Sequence, residues 1–510
     1  MRTGPITMTA LALLCAAPVL AEEAPRTRVD SGWITGAHTG PAEVFRAVPF
    51  AAAPVGPLRW KPPAPARAWT GDRPATAPGP ACPQPVTPGS PNLGGYFGPT
   101  SEDCLTLDVT APGVAPKRGA KGWPVMVWVF GGGNVSGATN LPSYDAVNFA
   151  RDGVIVVAMN YRLGALGFFA HPALTAEAPA TQPLGSYGLM DQIVALKWVK
   201  RNIAAFGGDP ANVTLFGESA GGEDVLQLLA IPSARGLFQR AIVQSGGGRE
   251  PIPTLDQAQT AGAALAERAG LAGATATAAQ LRALPVEALV GKAGGSGPIR
   301  DGRLIRQGVA AAFAAGAQTP VPLIIGSNSN EASLMRGGGA TPALQHAKAT
   351  PALVAAYKDD AVSDAALARA LFNDGVMGAP ARWIAAKAST KAPAWLYYFS
   401  YVPERQRGIR PGTNHASEIP FVFDSLDAVP GRTPLITPSE RAEAALAHSC
   451  WLAFARTGVP TCAGGQAWPV YTAKSDQLLE FGDPPGVRTH FRKAQLDAQD
   501  AEMDAGAAPL

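Results

Sequence analysis

The sequence predicts an α/β fold in which helices cover both faces of a central, mostly parallel sheet. Six short runs of apolar and β-branched residues, each bounded by turns, indicate strands at residues 125–130, 154–159, 213–216, 241–243, 322–325 and 395–401. Runs that are apolar throughout are typical of strands buried on both faces, which occur mostly in parallel sheets. A helix over residues 189–206 is predicted between the second and third runs, because its apolar side chains recur at helical spacing.

The segments outside these runs are interpreted from their composition and length. Residues 22–120 are rich in proline and glycine, which indicates an N-terminal meander packed on the body of the protein. Residues 250–320 and 335–390 are rich in alanine with helical periodicity, and we predict helical insertions above the C-terminal edge of the sheet. Length alone favours about three domains, but one large sheet with insertions can be as long, so residues 22–510 are predicted to form a single domain.

The charge balance excludes several classes of partner. The 510 residues carry a formal net charge of only +3, and no run of lysine and arginine stands out. A nucleic-acid-binding surface needs concentrated positive charge, so nucleic acid is not expected as a partner. No segment beyond the N-terminus is apolar for long enough to span a bilayer, so no membrane span is expected.

The N-terminus has the pattern of a secretory signal peptide over residues 1–21. A charged residue precedes an apolar stretch at 6–14, and small residues lead to a polar junction after Ala21. A transmembrane anchor needs about 20 apolar residues, which this run does not reach. Lipid attachment at Cys15 is disfavoured by the bulky Leu14 before it. We therefore predict a cleaved signal peptide and a secreted or periplasmic protein.

Four cysteines remain after such cleavage: Cys82, Cys104, Cys450 and Cys462. An even number in an oxidising compartment suggests two disulfides, and four cysteines allow three pairings. Proximity in the sequence favours Cys82–Cys104 and Cys450–Cys462, with buried free thiols as the alternative. No cysteine pair has zinc-site spacing with nearby histidines, so no metal site is expected.

A five-residue pattern, Gly217-Glu218-Ser219-Ala220-Gly221, follows the third predicted strand and precedes a helical segment. A strand-to-helix turn this sharp strains the backbone of the serine and exposes its hydroxyl, so glycines are needed on either side. The amide of Ala220, at the start of the helix, would point toward developing negative charge. Chance alone can produce this pattern in a glycine-rich chain, but its position indicates that Ser219 is a nucleophile. Glu218, directly before it, is a candidate residue of the substrate pocket.

Three glycines follow the first predicted strand, between Phe130 and Asn134. Without side chains, their backbone N–H groups can approach a substrate oxygen closely, as an oxyanion hole requires. The alternative interpretation is a flexible turn.

A serine nucleophile needs a base, which in this arrangement comes last in the chain, on a loop after the final strand. Of the six histidines, His415 lies on such a loop, after the strand predicted at 395–401. His448 falls within a helical pattern and His490 lies near the tail, so both are interpreted as surface or packing residues.

The acid that orients the base should follow an earlier strand and stand between the serine and the histidine in the chain. Glu331 fits, because it ends the loop after the strand predicted at 322–325. Other acids in the interval, such as Asp301, remain alternatives on the pattern alone.

Several longer motifs resemble the type-B carboxylesterase family, which includes cholinesterases, bacterial nitrobenzyl esterases and several fungal lipases. The matching stretches are PVGPLRW (54–60), EDCL (102–105), NYRLG (160–164), GLMDQ (188–192), FGGDP (206–210), VTLFGESAGG (213–222), GSNSNE (326–331), HASEIP (415–420) and WP (468–469). The resemblance covers roughly residues 30–480 and implies an α/β-hydrolase fold.

The resemblance implies roles for individual positions. Ser219, Glu331 and His415 match the catalytic triad of the family. The three oxyanion-hole donors are matched by Gly132, Gly133 and Ala220, and Cys82 with Cys104 matches a family disulfide. The expected reaction is hydrolysis of a small-molecule carboxylic ester through an acyl-enzyme, which requires no cofactor or metal.

Two positions depart from the family pattern. Phe130 replaces a usual histidine or tyrosine before the glycine triplet, and Asn134 replaces an aromatic or small residue after it. We expect both to shape the substrate pocket, and a turn-capping role is the alternative for Asn134. The family's second disulfide has no counterpart here, and Cys450–Cys462 is not implied by the resemblance.

Three other functions remain as alternatives. A non-catalytic binding protein of the same fold would typically lack the serine or the histidine. A lipase would be expected to carry an apolar lid, whereas the insertions here are rich in alanine. An amidase would use the same residues.

Overall fold

The computed structural model describes residue 4 and residues 23–86, 98–291, 297–335 and 340–506. The predicted signal peptide lies outside these residues, apart from residue 4. The signal peptide and the single-domain boundaries therefore stay predictions.

The described residues form fourteen strands, which are numbered here in chain order. They are β1 (Arg26–Val29), β2 (Gly32–Thr35), β3 (Ala37–Thr39), β4 (Ala42–Pro49), β5 (Asp72–Pro74), β6 (Thr106–Pro112), β7 (Trp123–Val129), β8 (Ile155–Met159), β9 (Gly208–Glu218), β10 (Arg240–Gln244), β11 (Leu323–Asn328), β12 (Ala394–Phe399), β13 (Gln477–Phe481) and β14 (Gly486–Thr489).

Eleven of these strands form one sheet, in the order β14-β13-β12-β11-β10-β9-β7-β8-β6-β4-β3. The seven strands from β13 to β8 in this order pair in parallel, and the strands at both edges pair antiparallel. Each of the six predicted strands lies on one of the strands from β7 to β12, so the predicted mostly parallel sheet is confirmed. Every residue of β8 and β11 is buried, because helices cover both faces of the sheet.

The N-terminal segment contributes more to the sheet than its composition indicated. β1, β2 and β5 form a separate three-stranded sheet, whereas β3, β4 and β6 extend the main sheet at one edge. β6 pairs antiparallel with β8, from Leu107 opposite Met159 to Thr110 opposite Val156. The predicted meander is therefore partly built into the central sheet, and prolines and glycines in the connections obscured its strands.

The helices are α1 (Val147–Arg151), α2 (Gly164–Gly167), α3 (Pro172–Glu177), α4 (Tyr187–Asn202), α5 (Ala220–Ala230), α6 (Leu255–Arg268), α7 (Ala278–Arg282), α8 (Val309–Ala314), α9 (Ala340–Ala349), α10 (Pro351–Ala356), α11 (Asp364–Phe372), α12 (Ala379–Ala388), α13 (Ile419–Val422), α14 (Pro438–Thr457) and α15 (Lys493–Asp504). The predicted helix at 189–206 corresponds to α4 and the 3-10 turn Ile203–Phe206 after it. Among the helices described, none has the length and apolar character that crossing a membrane requires.

Two disulfides link cysteines that are close in the sequence. Cys82 is bonded to Cys104, and Cys450 near the end of α14 is bonded to Cys462 in the following loop. All four cysteines are buried, and the two bridges join residues that are 22 and 12 positions apart.

The topology also determines where functional side chains can meet. Loops after β7, β9, β11 and β12 begin at the carboxyl ends of neighbouring or nearby parallel strands. In an open parallel sheet these ends lie along one edge, where ligands bind. The glycine triplet, Ser219, Glu331 and His415 all follow these four strands.

Candidate active site

The turn at Ser219 joins the end of β9 directly to the start of α5. Ser219 has φ 55° and ψ −129°, a strained conformation for a residue with a side chain. Its N–H donates to the carbonyl oxygen of Gln244 at 2.8 Å, which ties the turn to β10. A Cβ atom at Gly217 would lie 2.5 Å from the carbonyl oxygen of Gly221, and one at Gly221 would lie 2.1 Å from that of Val129. Both glycines are therefore required by close backbone contacts.

The glycine turn after β7 lies against this serine. A Cβ atom at Gly131 would be 2.8 Å from the Cβ atom of Ser219, so no side chain fits between the two turns. Gly132 and Gly133 have φ of 107° and 63°, which favours glycine at both positions. Within the described residues, no hydrogen bond uses the N–H of either glycine. Ala220 is the first residue of α5, where backbone N–H groups have no partner inside the helix.

The base and acid predicted from the sequence contact each other. Nδ1 of His415 lies 2.5 Å from Oε2 of Glu331, and Glu331 is completely buried. The other carboxylate oxygen, Oε1, accepts from the hydroxyl of Ser245 and from the N–H of Asn328, each at 2.6 Å. Glu331 is held by three partners, so the orientation of the imidazole ring is determined by a rigid acceptor.

The second ring nitrogen of His415 has a different environment. Nε2 lies 3.1 Å from Oε1 of Glu218, but the two atoms do not have hydrogen-bond geometry. Neither atom has a hydrogen-bond partner among the described residues. A buried nitrogen without a partner costs stability unless another group supplies or accepts a proton. Among the described residues, no hydrogen bond therefore occupies Nε2.

Three buried carboxyl groups determine the electrostatics around the ring. Burial lowers the pKa of His415, but the charges of Glu218, Glu331 and Glu418 outweigh this effect and raise the pKa. Burial raises the pKa of Glu218, and the nearby charges of Glu418 and Glu331 add to the rise although His415 opposes it. A protonated Glu218 therefore leaves His415 less basic, because the carboxyl no longer carries the charge that stabilises the imidazolium.

Sequence reasoning missed the residues that support this pair. Glu418 is completely buried and accepts from Nε2 of Gln244 at 2.9 Å and from Nδ2 of Asn328 at 2.5 Å. In the sequence, Glu418 could have been noticed by its place in the HASEIP motif, three residues after His415. Ser245 gave a weaker signal, as a polar residue at the end of a buried strand.

The alternatives for acid and base occupy other places. Asp301 accepts from the backbone N–H groups of Leu184, Leu304 and Ile305, so it holds a loop together. His448 is buried within α14, and its Nδ1 lies 2.8 Å from the carbonyl oxygen of Val422. Both residues have structural contacts that account for their burial.

Phe130 and Asn134, which we expected to shape the substrate pocket, are both buried and have partners inside the protein. The ring of Phe130 is only 1% exposed and stacks on Tyr161 at 4.6 Å between ring centroids. Asn134 is also 1% exposed, and its Nδ2 donates to Oδ1 of Asp224 at 3.3 Å. Asp224 accepts a second bond from Nε2 of Gln192 at 2.5 Å. Asn134 therefore links the glycine turn to α5, instead of capping its own turn.

The described residues contain no group of three or more His, Cys, Asp or Glu side chains arranged to hold a metal ion.

Comparison with known proteins places these features in a family. A model described as the carboxylesterase family matches residues 23–499. The chain is 37% identical to fumonisin B1 esterase of Sphingopyxis macrogoltabida, over 90% of this chain and 86% of that protein. It is 34% identical to para-nitrobenzyl esterase of Bacillus subtilis, over 88% and 93% of the two chains. A solved carboxylesterase of Geobacillus stearothermophilus superposes with a TM-score of 0.80 at 31% identity, covering 93% of this chain and 99% of that one.

The buried Asp224 provides a test of the link between the glycine turn and α5. Burial raises the pKa of Asp224 from 3.8 to about 7, so the folded chain keeps a proton that the unfolded chain loses above about pH 4. The free energy of unfolding of the parent, relative to that of Asp224→Asn, should therefore decrease as the pH rises from about 4 to about 7. The total decrease should be on the order of 1–4 kcal/mol, and the difference should stay constant at higher pH. Free energies of unfolding of both proteins at pH 5 and pH 8 measure the change.

The asparagine can keep both hydrogen bonds if one of the two neighbouring amides turns over. Oε1 of Gln192 and Oδ1 of Asn134 have no partner within the described part of the chain, so each could accept instead. A stability difference that is the same at both pH values would contradict the buried, proton-binding state of Asp224.

Proposed function

Because the chain belongs to the carboxylesterase family, type B, we propose that it is a secreted serine esterase in which Ser219, His415 and Glu331 hydrolyse carboxylic esters. The observation that carries this proposal is the bond of 2.5 Å between Glu331 and Nδ1 of His415. It leaves Nε2 as the only ring nitrogen able to take a proton from a serine hydroxyl. The residue roles rest on this geometry and on the position of Ser219 at the same edge of the sheet.

The first half of the reaction forms an acyl-enzyme. Nε2 of His415 takes the proton of Ser219 as the serine oxygen attacks the ester carbonyl carbon. Negative charge develops on the carbonyl oxygen, which accepts from the N–H groups of Gly132, Gly133 and Ala220. A single donor of this kind is typically worth about 3 kcal/mol in the transition state. The imidazolium then gives its proton to the alcohol oxygen as the bond between that oxygen and the acyl carbon breaks.

The second half releases the acid by the same route. Nε2 of His415 takes a proton from a water molecule, whose oxygen attacks the acyl carbon. The oxyanion is again held by the three amides, and the proton returns to Ser219 when its bond to the acyl group breaks. Glu331 stabilises the imidazolium in both halves.

Two further observations support secretion and the substrate class. Both disulfides fit an oxidising compartment, which agrees with a cleaved signal peptide at residues 1–21. The curated relatives named above are esterases, which supports a small carboxylic ester as the substrate.

The first test removes the triad members one at a time. Ser219→Ala and His415→Ala should each lower kcat for a nitrophenyl ester by roughly 10⁴-fold or more, because triad members act as a unit. Glu331→Gln should cost less than either, since Ser245 and Asn328 can still hold the side chain. Steady-state kinetics, with unfolding curves as the control for folding, measure these effects. Activity of Ser219→Ala near that of the parent would show that the nucleophile is another residue.

The second test concerns Glu218, whose carboxyl faces Nε2 of His415. A negative charge here favours the imidazolium, so Glu218→Gln should lower the pKa of His415. His415 must be neutral to act as a base, and the acidic limb of the pH profile of kcat/KM should move to lower pH by about one unit. Glu443→Gln is a matched control, because Glu443 is a buried acid on α14 that does not lie beside His415. An acidic limb that moves equally in both variants, or in neither, would exclude this role of Glu218.

A further inference from the structure

A side chain from the second helical insertion contacts the loop that carries Glu331. Asn373 directly follows α11, and its Nδ2 donates to the carbonyl oxygen of Ser329 at 3.0 Å. Its Oδ1 accepts from the backbone N–H of Ala332 at 2.7 Å. Ser329 and Ala332 stand on either side of Glu331 in the chain. One amide therefore holds the backbone both before and after this acid.

The amide of Asn373 takes the place of a hydrogen bond within the turn itself. In a closed four-residue turn, the carbonyl of the first residue accepts from the N–H of the fourth. Ser329 and Ala332 are such a pair, but no direct hydrogen bond between them is found among the described residues. Without Asn373, both groups would lose their partner or the turn would close on itself. Either change would move Glu331.

The same turn is bound on another side to the loop that carries His415. The N–H of Thr413 donates to Oγ of Ser329 at 2.8 Å, and the N–H of Asn330 donates to the carbonyl oxygen of Thr413 at 2.8 Å. Nδ2 of Asn330 also donates to Oδ1 of Asn414 at 2.7 Å. The turn at residues 329–332 is therefore fixed between the histidine loop and the amide that follows α11.

The segment that presents this amide is itself firmly held. Asn373–Gly378 form a π-helical turn, a rare conformation that is frequent at functional sites. Within this turn, Asp374 accepts from the hydroxyl of Tyr357 at 2.9 Å and from Nη2 of Arg492 at 2.7 Å. Leu371, near the end of α11, belongs to a buried apolar cluster that includes Tyr357. The amide is thus presented by a packed helix and an anchored turn.

We infer that Asn373 is a positioning residue of the esterase reaction, which fixes the place of Glu331 relative to His415. Asn373 acts through the backbone of the turn, and the contact that it maintains is the one between Glu331 and Nδ1 of His415. The inference rests on the proposed esterase function and gives the second helical insertion a part in it. Bond breaking stays with Ser219 and His415.

The experiment removes the amide and measures the steady-state kinetics of the full-length protein with a nitrophenyl ester. Asn373→Ala should lower kcat by roughly 10- to 100-fold, the order of effect of misplacing a catalytic group by about 1 Å. KM should stay within about twofold of the parent, because the lost interaction acts on the pair that stabilises the transition state. Asn373→Ser can form one of the two hydrogen bonds at most, so its kcat should fall between the other two values.

A double-mutant cycle tests whether Asn373 acts through Glu331. In Glu331→Gln the oriented carboxylate is already lost, so adding Asn373→Ala should change kcat by less than about twofold. A residue that only supported the fold would lower kcat by the same factor in both backgrounds. The coupling between the two changes is therefore the result that separates positioning from general support.

Asn202→Ala is a matched control for the loss of a bridging amide. Nδ2 of Asn202 donates to the carbonyl oxygen of Trp198 at 3.0 Å, and its Oδ1 accepts from the N–H of Asp30 at 2.8 Å. Asn202 ends α4, which leads to the start of β9, at the edge of the sheet opposite the active site. Asn202→Ala should lower the stability in unfolding curves and leave kcat unchanged.

The outcomes for Asn373 and for the esterase function are distinguishable. Hydrolysis by the parent, and its loss in Ser219→Ala, reports the esterase function alone. A folded Asn373→Ala or Asn373→Ser protein with the kcat of the parent would overturn the inference and leave the esterase function intact. So would an equal fall in kcat in the parent and Glu331→Gln backgrounds. If Asn373→Ala does not fold, Asn373→Ser provides the same comparison, because its hydroxyl can still bond one side of the turn.

Discussion

The close backbone contact between the start of α5 and the end of β7 is the constraint on which the site depends. Gly221 lies so near the carbonyl of Val129 that even a methyl group would overlap with it. This contact brings the serine turn and the glycine turn together, so that a Cβ atom at Gly131 would lie 2.8 Å from the Cβ atom of Ser219. A parallel sheet makes the contact possible, because β7 and β9 are neighbours that end at the same edge.

The second organising feature is the concentration of buried carboxyl groups around one imidazole. Glu331 accepts from the hydroxyl of Ser245 and the N–H of Asn328, whereas Oε1 of Glu218 has no partner among the described residues. The charges of both residues raise the pKa of His415, and burial raises the pKa of Glu218 itself. Uptake of a proton by Glu218 would therefore weaken the stabilisation of the imidazolium.

The sequence predicted the parts of the site that follow buried strands. Ser219, Glu331 and His415 each come after a strand whose apolar run is visible in the sequence, and the order along the chain limited their roles. Ser245 and Glu418 could not be found in this way, since their partners are far away in the chain. Ser245 is 86 positions from Glu331, and only the three-dimensional fold brings their side chains into contact.

The expected pocket residues show a second limit of sequence reasoning. Phe130 precedes the glycines and Asn134 follows them, but side-chain direction depends on the turn, and Asn134 with φ of 57° points to Asp224 on α5. The edge strands β3, β4 and β6 were missed for a related reason. They lie in a segment rich in proline and glycine, where strand pairing depends on contacts with the main sheet more than on local propensity.

The most direct measurement of the central claim is covalent labelling of the nucleophile. A fluorophosphonate ester reacts with an activated serine, whose oxygen displaces fluoride from phosphorus. Peptide mapping by mass spectrometry should find one phosphonate group, on the peptide that contains Ser219, and His415→Ala should label far more slowly. Labelling of another serine, or equal labelling rates in the parent and in His415→Ala, would contradict the assignment of Ser219 and His415.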